Sequence, residues 1–171
     1  MRGEKRYTNA TWTRRVDHAG GRHRPPRAHS EPAFCPGCGA VYTKRRWSRA
    51  PSARLRARRA GEPVIVRICP ACRRRQSGLP HGFLHIDGDF FPIHRAEVEH
   101  LLHNEVERAR EDNPLQQVLT WEDLNGDGLL IATTTEHLAQ RLGHALQRAY
   151  DGDVHYGFSH ENKLVRVWWH R

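Results

Sequence analysis

Two short cysteine turns constrain this chain more than anything else in it: Cys35-Pro36-Gly37-Cys38-Gly39 and Cys69-Pro70-Ala71-Cys72-Arg73. They hold all 4 cysteines of the sequence, as two C-x-x-C pairs. Two residues between thiolates let one tight turn aim both sulfurs at a single ion. Two such turns supply the closed all-thiolate shell that structural Zn²⁺ prefers. Gly39 offers the positive φ that often follows the second ligand of such a turn, and Pro36 and Pro70 stiffen each turn. A disulfide framework goes with a secretory leader, and the N-terminus has no apolar run. A redox C-x-x-C occurs once, beside a βαβ unit, and is not duplicated. The spacing therefore predicts a zinc ribbon in which Cys35, Cys38, Cys69 and Cys72 hold one structural Zn²⁺. A filled four-thiolate shell leaves no open position for catalysis. The loop between the pairs is about twice the commonest ribbon spacing, which implies an insertion.

Charge divides the 171 residues unevenly. The net value is +9, but residues 1–81 carry 20 Lys and Arg against 4 acidic residues, whereas residues 82–171 carry 8 against 15. A basic front and a mildly acidic back point to a polyanion as partner of the front half. Arg outnumbers Lys there, which suits bidentate phosphate contacts and stacking, although GC-rich coding would enrich Arg in the same way. No apolar run reaches the roughly 18 residues that a spanning helix needs, so no membrane partner is expected.

Three segments follow. Residues 1–33 are basic and rich in Gly and Pro, and read as a flexible arm. Residues 34–80 form the zinc module. In it Ala40-Val41-Tyr42 is strand-like, Ser48 to Gly61 is a basic insertion without an apolar stripe, and Pro63 to Ile68 is the second strand of a ribbon hairpin. Residues 82–171 form an α+β domain. Its order is a strand from Phe83 to Phe90, a helix from Pro92 to about Asp112, and a hairpin around Asn125-Gly126-Asp127-Gly128. A Thr-capped helix with Leu138, Leu142, Ala145, Leu146 and Ala149 inward follows, and then two strands, Val154–Phe158 and Leu164–Trp169. This β-α-β-β-α-β-β order predicts a ferredoxin-like antiparallel sheet with both helices on one face and an extra edge strand.

Basic residues interleaved with an aromatic ring carry the functional expectation. Lys44, Arg45, Arg46 and Trp47 follow the first cysteine turn, and Arg73, Arg74 and Arg75 follow the second. Arg54, Arg56, Arg58 and Arg59 lie between them. One ion drawing both turns together places these cations on one surface for RNA phosphates, with Trp47 to stack on a base. The bland reading of each run is a solvated face. Arg166 and Trp168 fall on the outward face of the last strand, as a second contact surface.

Other constellations read as structure. Asp123-x-Asn125-x-Asp127-Gly128 begins like an EF-hand loop, but Thr134 stands where the closing Glu belongs and the flanks are strands. His85, Asp87 and Asp89 alternate on one strand before His94, His100 and His103 on the helix, a candidate second metal or nuclease site whose plain reading is a solvated face. The chain has no phosphate-cradling G-x-x-x-x-G-K-[ST], no G-x-S-x-G and no H-E-x-x-H.

From Cys69-Pro70-Ala71-Cys72-Arg73 through the Trp121 to Gly128 hairpin and the Thr133-Thr134-Thr135-Glu136-His137-Leu138-Ala139 helix start, the chain resembles the zinc-binding N-terminal half of the large-ribosomal-subunit export adaptor family of eukaryotes and archaea. It is also similar to a small bacterial family with the same CPxCG and CPxCRR turns. The resemblance implies contact with ribosomal RNA on the large subunit, ribosomal proteins as neighbours, and no enzymatic activity. Its zinc ligands carry over to Cys69 and Cys72, and to Cys35 and Cys38. The adaptor carries more C-x-x-C pairs and later domains, so nuclear export does not carry over. The sequence thus predicts a cytoplasmic, non-enzymatic zinc-ribbon RNA-binding protein with no small-molecule substrate. A protein-docking or transcription-regulatory module and a metal-dependent nuclease are its rivals.

Overall fold

The computed structural model describes residues 32–49, 65–159 and 163–171. Nearly all of the N-terminal arm, and the insertion with Arg54, Arg56, Arg58 and Arg59, lie outside the described residues.

The cysteine-bearing part is built on four very short strands, β1 (Ala33–Phe34), β2 (Val41–Thr43), β3 (Arg46–Ser48) and β4 (Ile65–Val66), in the order β3-β2-β1-β4. β2 and β3 form a tight hairpin whose two loop residues, Lys44 and Arg45, both have positive φ (50° and 59°). That is the backbone of a mirror-image turn matching strand twist, normally filled by Asn or Gly. Of the strand expected over Pro63 to Ile68, Pro63 and Val64 lie outside the described residues; Ile65–Val66 is strand but runs parallel to β1, and Arg67 and Ile68 are not strand.

The second cysteine turn opens a helix, α1 (Pro70–Ser77), which the sequence reading does not place there. Cys69 is its extended N-cap, with Sγ accepting the Cys72 N–H. Pro70 fits the first turn, where no N–H is needed, and Gly78 closes the helix at φ 62°.

The larger unit is a five-stranded sheet with two helices on one face. Its elements are β5 (Gly82–Asp87), α2 (Phe90–Asp112), β6 (Val118–Leu124), β7 (Gly128–Thr133), α3 (Glu136–Tyr150), β8 (Asp153–Ser159) and β9 (Leu164–His170). The strand order is β6-β7-β5-β9-β8. The order of elements agrees with the sequence reading, but the ferredoxin-like antiparallel sheet with its last strand at the edge does not: β9 lies inside the sheet, between β5 and β8, and the sheet is mixed. β5 and β9 are parallel, from Gly82 opposite Val165 to Asp87 opposite His170. The cause is the β8–β9 hairpin: β8 takes the edge, and the chain returns as β9 beside β5 in reversed direction. The Asp123 to Asp127 segment is the expected hairpin turn, with Asp123 Oδ1 accepting the Gly126 N–H at 2.6 Å.

The core lies between the sheet and helices. Leu84 and Ile86 of β5, Leu129 and Ile131 of β7, and Val165, Val167 and Trp169 of β9 face Val98, Leu102 and Ala109 of α2 and Leu138, Leu142 and Leu146 of α3, all fully buried. Alternation on the strands and three-to-four spacing on the helices produce this layer. Thr135 caps α3, accepting the Leu138 N–H. Gly143 lets α3 settle close on the sheet, because a Cβ there would come within 2.6 Å of a Val167 methyl.

One polar tie crosses the layer of helices. Glu105, only 7 % exposed, accepts from Arg141 Nε at 2.6 Å, and Arg141 Nη1 also reaches Asp112 Oδ2 at 2.8 Å. Arg141→Met keeps the stem packed and leaves the Glu105 carboxylate with only the exposed Arg108, at 3.6 Å. The guanidinium side is about one-third exposed, so water softens the loss. The expected cost is about 1–3 kcal/mol, below the figure for a fully buried pair, read from urea denaturation.

Candidate metal centre and its basic surroundings

The four cysteines converge. Their sulfur atoms all lie within 4.8 Å of one another, and Cys38 Sγ and Cys69 Sγ are 3.6 Å apart. Four ligands at a Zn–S distance of about 2.3 Å on a tetrahedron have sulfur–sulfur edges of about 3.8 Å, so the spacing fits a shared ion. None is in a disulfide. Cys35, Cys69 and Cys72 are buried and Cys38 is partly exposed, and the sulfurs sit in a small core with Ala33, Ala40, Tyr42, Trp47 and Ala71.

The backbone holds both turns toward the sulfurs. Cys35 N–H donates to Ala40 O at 2.8 Å, and Gly39 N–H, at φ 75°, donates to Cys35 O at 3.0 Å. Cys69 N–H donates across to Cys35 Sγ at 3.3 Å, and Cys72 N–H to Cys69 Sγ at 3.4 Å. Gly37 is needed for closeness, since a Cβ there would stand 3.1 Å from Cys72 Sγ.

The electrostatics of the four sulfurs favour a cation among them. Burial and the neighbouring sulfurs push Cys69 well above an ordinary thiol, and burial pushes Cys72 up to about 12. Burial also acts on Cys35, but backbone N–H groups of Cys69, Cys38 and Gly37 outweigh it and bring that thiol down to about 7. Four thiolates this close repel one another unless a cation sits among them, and a divalent metal ion supplies that charge. Donor set, burial and spacing all suit a metal site formed by Cys35, Cys38, Cys69 and Cys72.

The residues expected to contact nucleic acid divide on the structure. Lys44 and Arg45 form the exposed tip of the β2–β3 hairpin, and Arg73 and Arg75 are exposed on α1. Arg46 turns toward the α2 C-terminus, with Nη2 3.4 Å from Asp112 O, and Arg49 lies 3.8 Å from Glu107. Arg74 is half-buried and donates to Thr134 O at 2.6 Å, so it fastens α1 to the larger unit. Trp47 is a correction: at 6 % exposure, packed 5.3 Å from Tyr42, it is core and offers no face to a base. Its alternation with Arg46 and Ser48 turns it inward among the cysteines, a consequence of the unforeseen hairpin.

The second constellation does not assemble. His85 stacks on Trp168, Asp87 Oδ1 meets His170 Nδ1 at 2.7 Å, and Asp89 stands at the α2 N-cap, off the strand. His94 stacks on Phe90, and His103 on Trp121. Among the described residues, the cysteines are the group of three or more metal-ligating side chains that converge. Among those residues, too, no helix is long and apolar enough to cross a membrane.

No family model, no curated protein and no solved structure matches the chain, so the chemistry of the site rests on its own geometry.

Proposed function

We propose that this chain is a zinc-binding protein that recognises structured RNA, ribosomal RNA of the large subunit foremost, without turning over a substrate. The observation that carries the reading is the four-sulfur cluster and what is mounted on it. The hairpin tip with Lys44 and Arg45 and the helix face with Arg73 and Arg75 extend from the two arms of one buried cage. The ion is zinc in this reading because four thiolates at tetrahedral spacing are its characteristic structural shell. Free thiolate ligands persist in a reducing compartment, which supports the cytoplasm as location. The strongly basic first 81 residues supply more phosphate contacts than the described cations alone. The resemblance to the ribosomal export adaptor supports the large subunit as the source of that RNA.

The test is fluorescence anisotropy of the zinc-loaded chain with duplex RNA, duplex DNA and large-subunit rRNA fragments between 50 and 200 mM salt. Neutralising four phosphates gives a slope of log K against log salt of roughly −3 to −4. Arg73→Ala with Arg75→Ala is expected to weaken all RNA targets alike and to flatten that slope. Absence of binding to any nucleic acid or ribosomal subunit across the series overturns the reading and favours a protein-docking module.

A further inference from the structure

The helices cover one face of the five-stranded sheet, and the opposite face carries an aromatic group at its centre. Phe83 and His85 of β5 alternate outward, directly beside Arg166 and Trp168 of β9 in the parallel register. The His85 and Trp168 rings stack at 5.7 Å and 18°, and the Arg166 guanidinium lies 5.8 Å from the Phe83 ring centre. Gly157 of β8, opposite Arg166, leaves room for the indole, since a Cβ there would stand 3.0 Å from Trp168 Cζ3. Trp168 is 37 % exposed, while its neighbour Trp169 is fully buried. Burial and the nearby Arg166 hold the His85 imidazole below its ordinary pKa, so it is a neutral ring near pH 7.

Along β5 and β9 the charge on this face changes in one direction, while Glu122 of β6 stands exposed at the level of His85, two strands away. The cysteine module adjoins the end where β5 begins, through Arg74 and Thr134. From there the outward positions pass from Phe83 and Arg166, through His85 and Trp168, to Asp87, His170 and Asp153 at the far end. A polyanion entering from the basic module therefore meets a cation first, then flat rings, then a row with two carboxylates.

We propose that this face binds a short unpaired stretch of RNA, with one or two bases stacked on Trp168 and His85 and a phosphate held by Arg166. Unpaired bases are the RNA feature that an aromatic sheet face can take, and stacking is sequence-tolerant because every base has a π-face. The acidic far row limits the stretch to about two or three nucleotides, the number such sheets stack. The inference deepens the RNA reading above and rests on it.

The test uses the full zinc-loaded chain with a fluorescein-labelled 12-nucleotide oligouridylate and an RNA duplex of equal phosphate number. Trp168→Ala is expected to weaken the single strand roughly tenfold, with the duplex unchanged and the salt slope preserved. Trp168→Tyr restores most of the loss. A 4-thiouridine strand is expected to photocrosslink to the peptides containing Phe83 or Trp168, a readout that does not depend on any variant folding. If the duplex binds while Trp168→Ala leaves the single strand unaffected, or crosslinks fall elsewhere, this inference fails and the phosphate reading stands. If neither RNA binds, both fail.

Discussion

Replacing Cys69 by Ser is expected to abolish stoichiometric metal binding and to unfold the cysteine module built on β1 to β4 and α1. Cys69 is the most deeply placed of the converging cysteines, the N-cap of α1 and the acceptor of the Cys72 N–H, and its own N–H reaches Cys35 Sγ. A serine hydroxyl still caps a helix but is a poor ligand for a thiophilic ion, so the effect enters through the metal and not the cap. Structural zinc contributes about 10–16 kcal/mol of apparent binding energy in finger peptides at neutral pH. A core of a few small residues and two aromatics cannot replace that. Elemental analysis is expected to give one ion per native chain and none in the variant, and limited proteolysis to cut within that module while the larger unit keeps its helical circular dichroism. Strong chelation reproduces the result, and so does acid, because protons compete with the ion for the thiolates. A variant that retains one ion per chain overturns the assignment of Cys69 as ligand.

The second large effect belongs to the other core. Trp169→Ala is expected to destabilise the α+β unit by about 3–5 kcal/mol, the range for truncating a fully buried aromatic. The ring lies edge-on to Phe90 at 6.0 Å, and its Nε1–H donates to Asp151 O at 2.8 Å, which ties β9 to the end of α3. Trp169→Phe keeps much of the packing and loses that donor, so it falls between the two, costing about 1–3 kcal/mol. Trp168→Ala, one residue away on the open face, changes the urea midpoint little. Equal midpoint shifts at 168 and 169 would contradict the assignment of faces.

Sequence alone revealed most of the larger unit, because strand alternation and helix spacing there are strong and unbroken. Val165, Val167 and Trp169 inward with Arg166 and Trp168 outward follow from a period of two, and the Thr135 cap from its place before an apolar stripe. The convergence of the four cysteines was equally legible, since C-x-x-C pairs leave few alternatives. What escaped is pairing across distance. Nothing local to β5 or β9 says that they run parallel, so the His85–Trp168 stack and the company of Phe83 were invisible. The Lys44-Arg45 turn escaped for the opposite reason: it is local, but neither residue is one that positive φ normally selects. With that hairpin unseen, the sequence leaves Trp47 as an open ring, and with α1 and its docking unseen it leaves Arg74 as an open cation. Helix α1 had signals that were readable, Pro70 inside its start and Gly78 past its end. They were masked by the turn chemistry of the knuckle itself.

The β5–β9 pair has a kinetic side. Its partners lie 83 residues apart, from Gly82 with Val165 to Asp87 with His170, and pairings this remote pay the entropy of closing a long loop before any reward arrives. Until β9 docks, β5 presents an unpaired edge flanked by apolar residues, open to another chain. The larger unit should therefore fold slowly for its size, and its late, half-formed sheet is the species from which it would aggregate.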